Sequence, residues 1–353
     1  MPKPSIRTFL RSKISAYVLA FAFFTIALFA GISIGTIHVP VRDIAFLLSH
    51  HFFGTSLNGV DPSFDNIVWQ IRFPRVLLAG LVGASLAVAG AAFQGLLRNP
   101  LADPYTLGVS SGASVGAVMV LFLNIQLPWL HNFTLPVVSI TASILTIFIV
   151  VLFAQAIERS LKVETIILTG IIFSSFLGAV ISLMIALTGE ELRQIIGWLL
   201  GSVSMRGWDY IQLILPFFLI GTLLLIIHAS ELNAMSFGEE KAQHLGVNVR
   251  RKKLLVLIAG SILTGAAVAV SGTIGFVGLV IPHFIRLIWG PDHRHLLPLS
   301  MLAGAGFLIL TDLVSRTIIS PTELPIGVIT SVIGAPIFAI ILLRKQRKGR
   351  GTA

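Results

Sequence analysis

The sequence predicts an all-α polytopic membrane protein of about ten transmembrane helices, and three observations carry that prediction. Apolar residues make up 55% of the 353-residue chain against only 11% charged, whereas a soluble domain carries about 25% charged residues. The apolar residues fall into runs long enough for about ten spans of ~20 residues each. The basic residues flank these runs: Lys3, Arg7, Arg11 and Lys13 precede the first, and Arg344 to Arg350 follow the last. The net charge of +10 therefore reads as the positive-inside pattern and not as a nucleic-acid-binding face. There is no cysteine, which excludes disulfides, Fe–S clusters and thiol catalysis in this chain.

Taken in order, the run Ile14 to Ile37 follows basic residues as a signal peptide would. It is too long for a signal h-region and lacks a small-x-small exit, so a retained first span is expected. A polar connection, His38 to Ile71, carries Asp43, Asp61 and Asp65 and ends in Arg72-Phe73-Pro74-Arg75. There span 2 is expected to begin, running to about Leu97. Arg98-Asn99-Pro100-Leu101-Ala102-Asp103-Pro104 is a tight, proline-punctuated turn. Span 3 follows from Leu107 to about Ile125 and span 4 from Leu135 to Ala156. A charged link with Glu158, Arg159, Lys162 and Glu164 leads into span 5, Thr165 to Leu187. Gly189 to Trp208 is mixed in polarity and suits a helix lying at an interface. Span 6 is Tyr210 to His228, span 7 Leu254 to about Ser271, span 8 Gly275 to Trp289, span 9 Leu296 to Leu313 and span 10 Ile326 to Leu343.

Between spans 6 and 7 lies a polar island, Leu232 to Lys253. Ser236 could cap a short helix there, with Glu239 completing a capping box and Gly246 stopping it in a left-handed conformation. The island reads either as a short amphipathic helix and turn folded at the membrane surface, with Met235, Phe237, Ala242 and Leu245 to press into a partner, or as a plain solvated loop.

Ten spans put both ends on one side of the membrane. With the termini in the cytoplasm, the basic residues left outside are Arg42, Arg72, Arg75, Arg193, Arg206 and Arg316, so 19 of the 25 Lys and Arg lie inside. That bias supports both ends in and places the polar island in the cytoplasm. An internal repeat is also visible: Leu81 to Gly90 matches Leu263 to Gly272 at six of ten positions, an offset of 182. The offset carries span 2 onto span 7. Five spans is an odd number, so the two halves, roughly 72–187 and 254–343, would be inverted relative to each other within one domain; chance similarity between small-residue helix seams is the competing reading.

Few groups could carry chemistry. Gly83, Ala87, Ala91 and Gly95, and Gly108, Gly112 and Gly116, recur at helical spacing, as close helix packing or a pathway lining requires. Arg286, Asp312 and Arg316 are the ionisable groups within spans, and Asp312 and Arg316 are four apart and able to pair. A proton-coupled transporter needs carboxylates or histidines deep in its spans, and their scarcity points to energy supplied from outside the chain. No GxxxxGK[ST] loop is present, and Gly272 to Gly278 has the wrong spacing for a dinucleotide fingerprint. His293 with His295, and His50 with His51, read as solvated loop histidines and not as metal ligands. No nucleophile–base pair stands out, so no catalytic site is expected. The open classes are a transporter driven by a partner, an ion-coupled secondary transporter, and a membrane-embedded enzyme.

Arg72 to Arg75, Asn99 to Pro104, Leu107 to Ala113, Gly275 to His283, Asp292-His293-Arg294 and Glu323 to Gly327 together resemble the permease family of ABC importers for iron–siderophore complexes, haem and vitamin B12. The likeness runs from about Val68 to Leu343 in order. It implies a permease subunit of the bacterial cytoplasmic membrane with both termini cytoplasmic, paired with a second copy or a related chain around a central pathway. It further implies a cytoplasmic ATP-binding cassette ATPase, which would hold the ATP and Mg, and an extracytoplasmic substrate-binding lipoprotein or periplasmic protein. This chain would hold no cofactor and bind no nucleic acid, its remaining partner being membrane lipid. By motif position the resemblance assigns binding-protein docking to Arg72, Arg75 and Arg316, and ATPase coupling to Gly238, Glu239, Glu240, Lys241, Ala242, Leu245 and Gly246. It assigns an inner gate to Asn99 and Leu101. A second gate in the family carries short hydroxyl residues before span 5, where this sequence has Lys162-Val163-Glu164 instead. The cargo implied is a ferric siderophore or related metal chelate, with haem and vitamin B12 as alternatives.

Overall fold

Helix α1 spans Lys13–Ser33 and α2 spans Val41–Phe53. The computed structural model describes residues 13–35, 37–56, 61–130 and 133–350; Lys3, Arg7 and Arg11 lie outside the described residues. The chain continues with α3 (Pro62–Leu96), α4 (Val109–Phe122), α5 (Thr134–Ile157), α6 (Val163–Leu187), α7 (Leu192–Leu199) and α8 (Gly207–Ile227). Two short helices follow, α9 (Ala229–Ser236) and α10 (Glu239–His244), then α11 (Val249–Ser271), α12 (Val277–Trp289), α13 (His293–Thr317) and α14 (Ile326–Arg350). Among the described residues, seven helices are long and apolar enough to cross a membrane: α1, α3, α5, α6, α8, α11 and α13. The shorter apolar helices α4, α12 and the Ile326–Ile340 part of α14 bring the set to the ten spans expected.

Two differences from the sequence reading have physical causes. The second span begins earlier than Arg72: Asp61 caps it by accepting from the Ser63 N–H at 2.8 Å, and Pro62 occupies the first turn. Pro74 cannot donate to the carbonyl four residues back, and its ring would collide with it. The chain answers with a π-helical stretch, Asn66–Arg72, that ends two residues before the proline, and the Phe73 N–H bonds Val68 O, as widened turns do within helices. The polar connection before it also holds α2, which ends in a left-handed Gly54.

Helix α3 is the centre of the bundle and is buried nearly throughout from Phe73 to Leu96, packing on α13, α11, α12 and α8. Close approach is what its small residues provide. A Cβ on Gly83 would fall on the Gly304 carbonyl of α13, and one on Gly90 would fall on the Gly278 carbonyl of α12. Helix α11 packs in turn on α5, where a Cβ on Gly265 would meet Ser143. The α3–α13 and α11–α5 contacts are the pair that a five-span offset interchanges. Helices α6 and α8 leave large apolar side chains such as Phe176, Leu183, Leu219 and Leu223 exposed, as expected of faces that meet lipid or another membrane subunit.

The segment after α6 forms the short amphipathic helix expected. Helix α7 buries Ile195 and Trp198, and the chain beyond it closes over neighbouring helix ends. Ser202 N–H donates to Ser271 O at 2.7 Å, and Ile326 N–H donates to Gly201 O at 3.0 Å.

Candidate functional sites at the two ends of the bundle

At one end, the proximal end, the α3–α4 turn, α9, α10 and the α12–α13 turn come together. The polar island is two helices and not one. Ser236 belongs to the end of α9, where its hydroxyl bonds Leu232 O at 2.9 Å, so the expected capping box does not form. Gly238, at φ 116°, separates α9 from α10. The stop at Gly246 is as read: it sits at φ 83°, with its N–H on Gln243 O at 2.9 Å and the Val247 N–H on Ala242 O at 3.0 Å. That pair of bonds is the Schellman motif, which favours glycine because a Cβ is strained in this conformation.

Helix α10 is anchored on one side only. Ala242 is fully buried, and Glu239 Oε1 lies 2.6 Å from Lys253 Nζ. Lys253 is itself buried and donates to Leu161 O at 2.7 Å, tying the island to the α5–α6 link. Glu240, Lys241, Leu245 and Gly246 face outward. Phe237 and Leu245, at the two ends of α10, are exposed to 72% and 71%. Helix α9 is pinned by the pair of Glu231 Oε1 and Lys252 Nζ at 2.7 Å.

The α3–α4 turn is built by short polar side chains. Arg98 adopts φ 49°, Asn99 Oδ1 accepts from the Leu101 N–H at 2.9 Å, and Asp103 Oδ1 accepts from the Tyr105 N–H at 3.1 Å. Such local bonds let Asn and Asp hold a turn against helix continuation. Burial pushes the Asp103 carboxyl up to about 6. The Leu101 side chain projects from the turn, 43% exposed. Nearby, Val163 is buried while Glu164 is exposed in the first turn of α6. The structure thus brings the proposed gate turn and the proposed coupling element together: a Cβ on Gly238 would lie 3.8 Å from Arg98 Nη1.

At the opposite, distal end the three arginines singled out from sequence are all engaged inside the chain. Arg72 is buried and donates to Ile32 O at 2.8 Å, to Ser33 O at 3.0 Å and to Ile37 O. Arg75 donates to Asp312 at 2.8–3.1 Å and to Glu323 at 2.7 and 3.0 Å, with Ser204 Oγ at 3.3 Å. Arg316 bonds Gly31 O and lies 3.7 Å from Asp312, the pairing expected from their spacing. Asp312 is almost inaccessible, whereas Glu323 stands 39% exposed. Burial would push the Glu323 carboxyl up, but the bonds and charge of Arg75 outweigh it and hold it below the usual carboxylate range. Arg75, Ser204, Arg206, Gln70, Ile71 and Glu323 line a cavity of about 600 Å³ open to this end.

The histidines depart from the solvated-loop reading. His293 is 2% exposed and bonded to Asn233, and His295 Nδ1 lies 3.1 Å from Tyr17 Oη. His51 pairs with Asp65 at 2.7 Å and stacks on Trp69 at 3.9 Å between ring centroids. The reason is tertiary: helices far apart in sequence close over His293 and His295, and the neighbouring helix α3 packs against His51. Among the described residues no three His, Asp or Glu side chains gather as a metal site would need. Sequence reasoning missed Asn233, Ser204 and the Gln94–Arg286 bond of 2.8 Å. Nothing local marks them, because their partners are 59 to 192 residues away.

A helix bundle with a short outward-facing helix anchored on one side at one end, and a charged cavity at the other, is the arrangement of a membrane transport subunit. The chain belongs to the FecCD transport family, whose model matches residues 23–344. It is 60% identical over 351 residues, 99% of each chain, to the uncharacterized ABC transporter permease protein YvrB of Bacillus subtilis. It is 42% identical over 288 residues to the cobalamin import system permease protein BtuC of Halobacterium salinarum, covering 82% of this chain and 76% of that one. Among solved structures, an inward-facing conformation of a putative metal-chelate type ABC transporter matches 94% of this chain and 99% of its own at a TM-score of 0.80 and 31% identity. This chain is an ABC importer permease.

Proposed function

We propose that the chain translocates a ferric siderophore or related metal chelate inward across the cytoplasmic membrane, driven by a separate ATP-binding cassette ATPase that holds the ATP and Mg. The single observation that carries the ATP-driven part is α10. A six-residue helix held by one buried alanine and one ion pair, with Phe237 and Leu245 bare, is suited to seating in a groove of a partner, as apolar helix faces do. Both termini and α10 then lie on the cytoplasmic side, and the α3–α13 and α11–α5 pairing supports an inverted repeat of the two halves. In the dimer, ATP-driven closure of the ATPases shifts the population between inward- and outward-open states, with Asn99 and Leu101 narrowing the inner mouth.

The docking reading keeps Arg72, Arg75 and Arg316 at the distal end, but with different parts. Arg72 and Arg316 shape the surface through the backbone carbonyls they hold. Arg75 is the one a partner's carboxylate reaches, by replacing Glu323, since charge-assisted carboxylate contacts fix register at such surfaces.

The substrate class rests on the likeness to the solved metal-chelate transporter. Cobalamin is the second reading, supported by the similarity to the Halobacterium permease. Uptake of radioactive iron as ferric siderophores and of radioactive cobalt as cobalamin, in cells with and without this chain, separates them. Loss of iron uptake alone supports the first, and loss of cobalamin uptake alone replaces it by the second.

A further inference from the structure

We propose that Asn233 is a positioning residue that passes movement of the α9–α10 segment to the α3–α4 turn through His293 and Gly95; the proposal rests on the coupling and gate reading above. Asn233 lies on α9, and its side-chain amide grips the start of α13 at three points. Its Oδ1 accepts the His293 main-chain N–H at 2.8 Å and lies 2.8 Å from the His293 ring Nδ1. Its Nδ2 donates to Asp292 Oδ1 at 2.6 Å, and Asp292 in turn caps α13 by accepting from the Arg294 N–H at 3.1 Å. Because Asn233 Oδ1 can only accept, the network assigns the ring proton to Nδ1. Both the backbone and the ring of His293 are therefore fixed to α9.

The other edge of that ring rests on α3. A Cβ on Gly95 would fall on His293 Nε2, so the last turn of α3 meets the imidazole with bare backbone. Three residues further on is Arg98 at φ 49°, then Asn99 and Leu101. The same turn of α3 is held to α12 by Gln94, whose Nε2 donates to Gly278 O at 3.2 Å and Leu279 O at 3.1 Å while its Oε1 accepts from Arg286 at 2.8 Å. The buried imidazole is close-packed on both sides, and a displaced α9 cannot move without displacing it, since packed interiors transmit strain. Beside the direct approach of Gly238 to Arg98, a buried route from the outward-facing helix to the gate turn thus runs through one hydrogen-bonded amide, one ring and one glycine.

The chain has no cysteine, so Leu101→Cys gives a unique thiol at the turn. The test reconstitutes this variant with its cassette ATPase in proteoliposomes and measures the rate of labelling by a membrane-impermeant maleimide, with and without ATP, Mg and vanadate. With Asn233 intact, nucleotide is expected to change the rate by roughly fivefold or more, the lower range of allosteric coupling. With Asn233→Ala the change is expected to fall below about twofold while ATP is still hydrolysed and the ATPase stays bound, because only the transmitted part of the coupling is removed. Gly95→Ala leaves Asn233 and the outward face of α10 untouched but pushes a methyl onto the ring, and it should blunt the response in the same way. An unaltered response in both variants overturns the proposal, as does loss of ATPase binding by Asn233→Ala alongside a normal response in Gly95→Ala. A Leu101→Cys protein that never responds to nucleotide overturns the gate reading, and the proposal with it.

Discussion

Arg75 on α3 and Asp312 on α13 are 237 residues apart, yet their side chains share three hydrogen bonds of 2.8–3.1 Å. Asp312 also lies beside Arg316, so one buried carboxylate serves two guanidinium groups. Removing one partner of such a network leaves an uncompensated buried charge, at a cost of about 3–5 kcal/mol. Asp312→Asn, which preserves shape and removes the charge, should therefore lower the unfolding temperature of the detergent-solubilised protein clearly. An unchanged melting curve would show that Glu323 alone suffices for both arginines.

This network also marks where the sequence stops being legible. The ten spans, the left-handed Gly246 and the Asp312–Arg316 pairing were readable because each depends on local rules: run length, glycine conformation and helical spacing. Arg75 was visible as a motif residue, but not its two carboxylates, because no local rule joins position 75 to 312 and 323. His293 reads as solvated because the sequence places no further ligand near it, and the packing of α9 through Asn233 and of α3 through Gly95 is what buries it. The Ser236 capping box failed for a related reason. Gly238 breaks the helix at a place where backbone freedom, not a side-chain cap, starts the next one.

Glu323 bonds Arg75 while itself 39% exposed, so it stands where a docking carboxylate would have to go. Glu323→Gln weakens this internal competitor, a charge-assisted contact worth about 1.5–3 kcal/mol. The variant is expected to bind the substrate-binding protein up to about tenfold more tightly at low salt, with the gain fading as ionic strength screens the contact. Titration of the solubilised permease with labelled binding protein measures this. Equal affinities would remove Arg75 from the docking surface.

Gly246 at φ 83° ends α10 and has open space around it, with nothing within 4 Å of the point where a Cβ would stand. Gly246→Val therefore meets no clash but carries about 1–2 kcal/mol of backbone strain in the left-handed region. That is enough to unseat a six-residue helix while leaving the bundle intact. Uptake should fall while ATP hydrolysis persists and the binding protein still docks. Normal uptake would count against α10 as the coupling element.

The attachment of α9 should depend on pH. Burial alone would push the Glu231 carboxyl up, but the Lys252 and His228 contacts outweigh it and hold it below the usual carboxylate range. A carboxylate with a depressed folded value stabilises above its unfolded value of about 4.3. That contribution is lost as pH falls through the folded value. Hydrogen exchange of residues 229–236 is expected to quicken below about pH 4.3 beyond its intrinsic rate, and Glu231→Gln should abolish the extra dependence. An identical pH profile in the variant would assign the effect to another group.

Gly90 and Gly178 separate close packing from mere helix composition. A Cβ on Gly90 would strike the Gly278 backbone, whereas one on Gly178 meets nothing within 4 Å. Both lie inside long helices, where alanine is intrinsically favoured over glycine by about 1 kcal/mol. For Gly178→Ala that preference is unopposed within the chain, so the variant should fold at least as well as the parent. For Gly90→Ala the new methyl must part α3 from α12, and overpacking of this kind costs about 1–3 kcal/mol, or more when backbone has to shift. The shift would fall beside Gln94, whose amide bonds Gly278 O and Leu279 O. Gly90→Ala is therefore expected to lower the melting temperature and to loosen the last turn of α3, seen as faster exchange of the amides from Gly90 to Leu97. If both substitutions were equally mild, the α3–α12 approach would be softer than its geometry requires, and the small-residue seam would owe its composition to something other than contact distance.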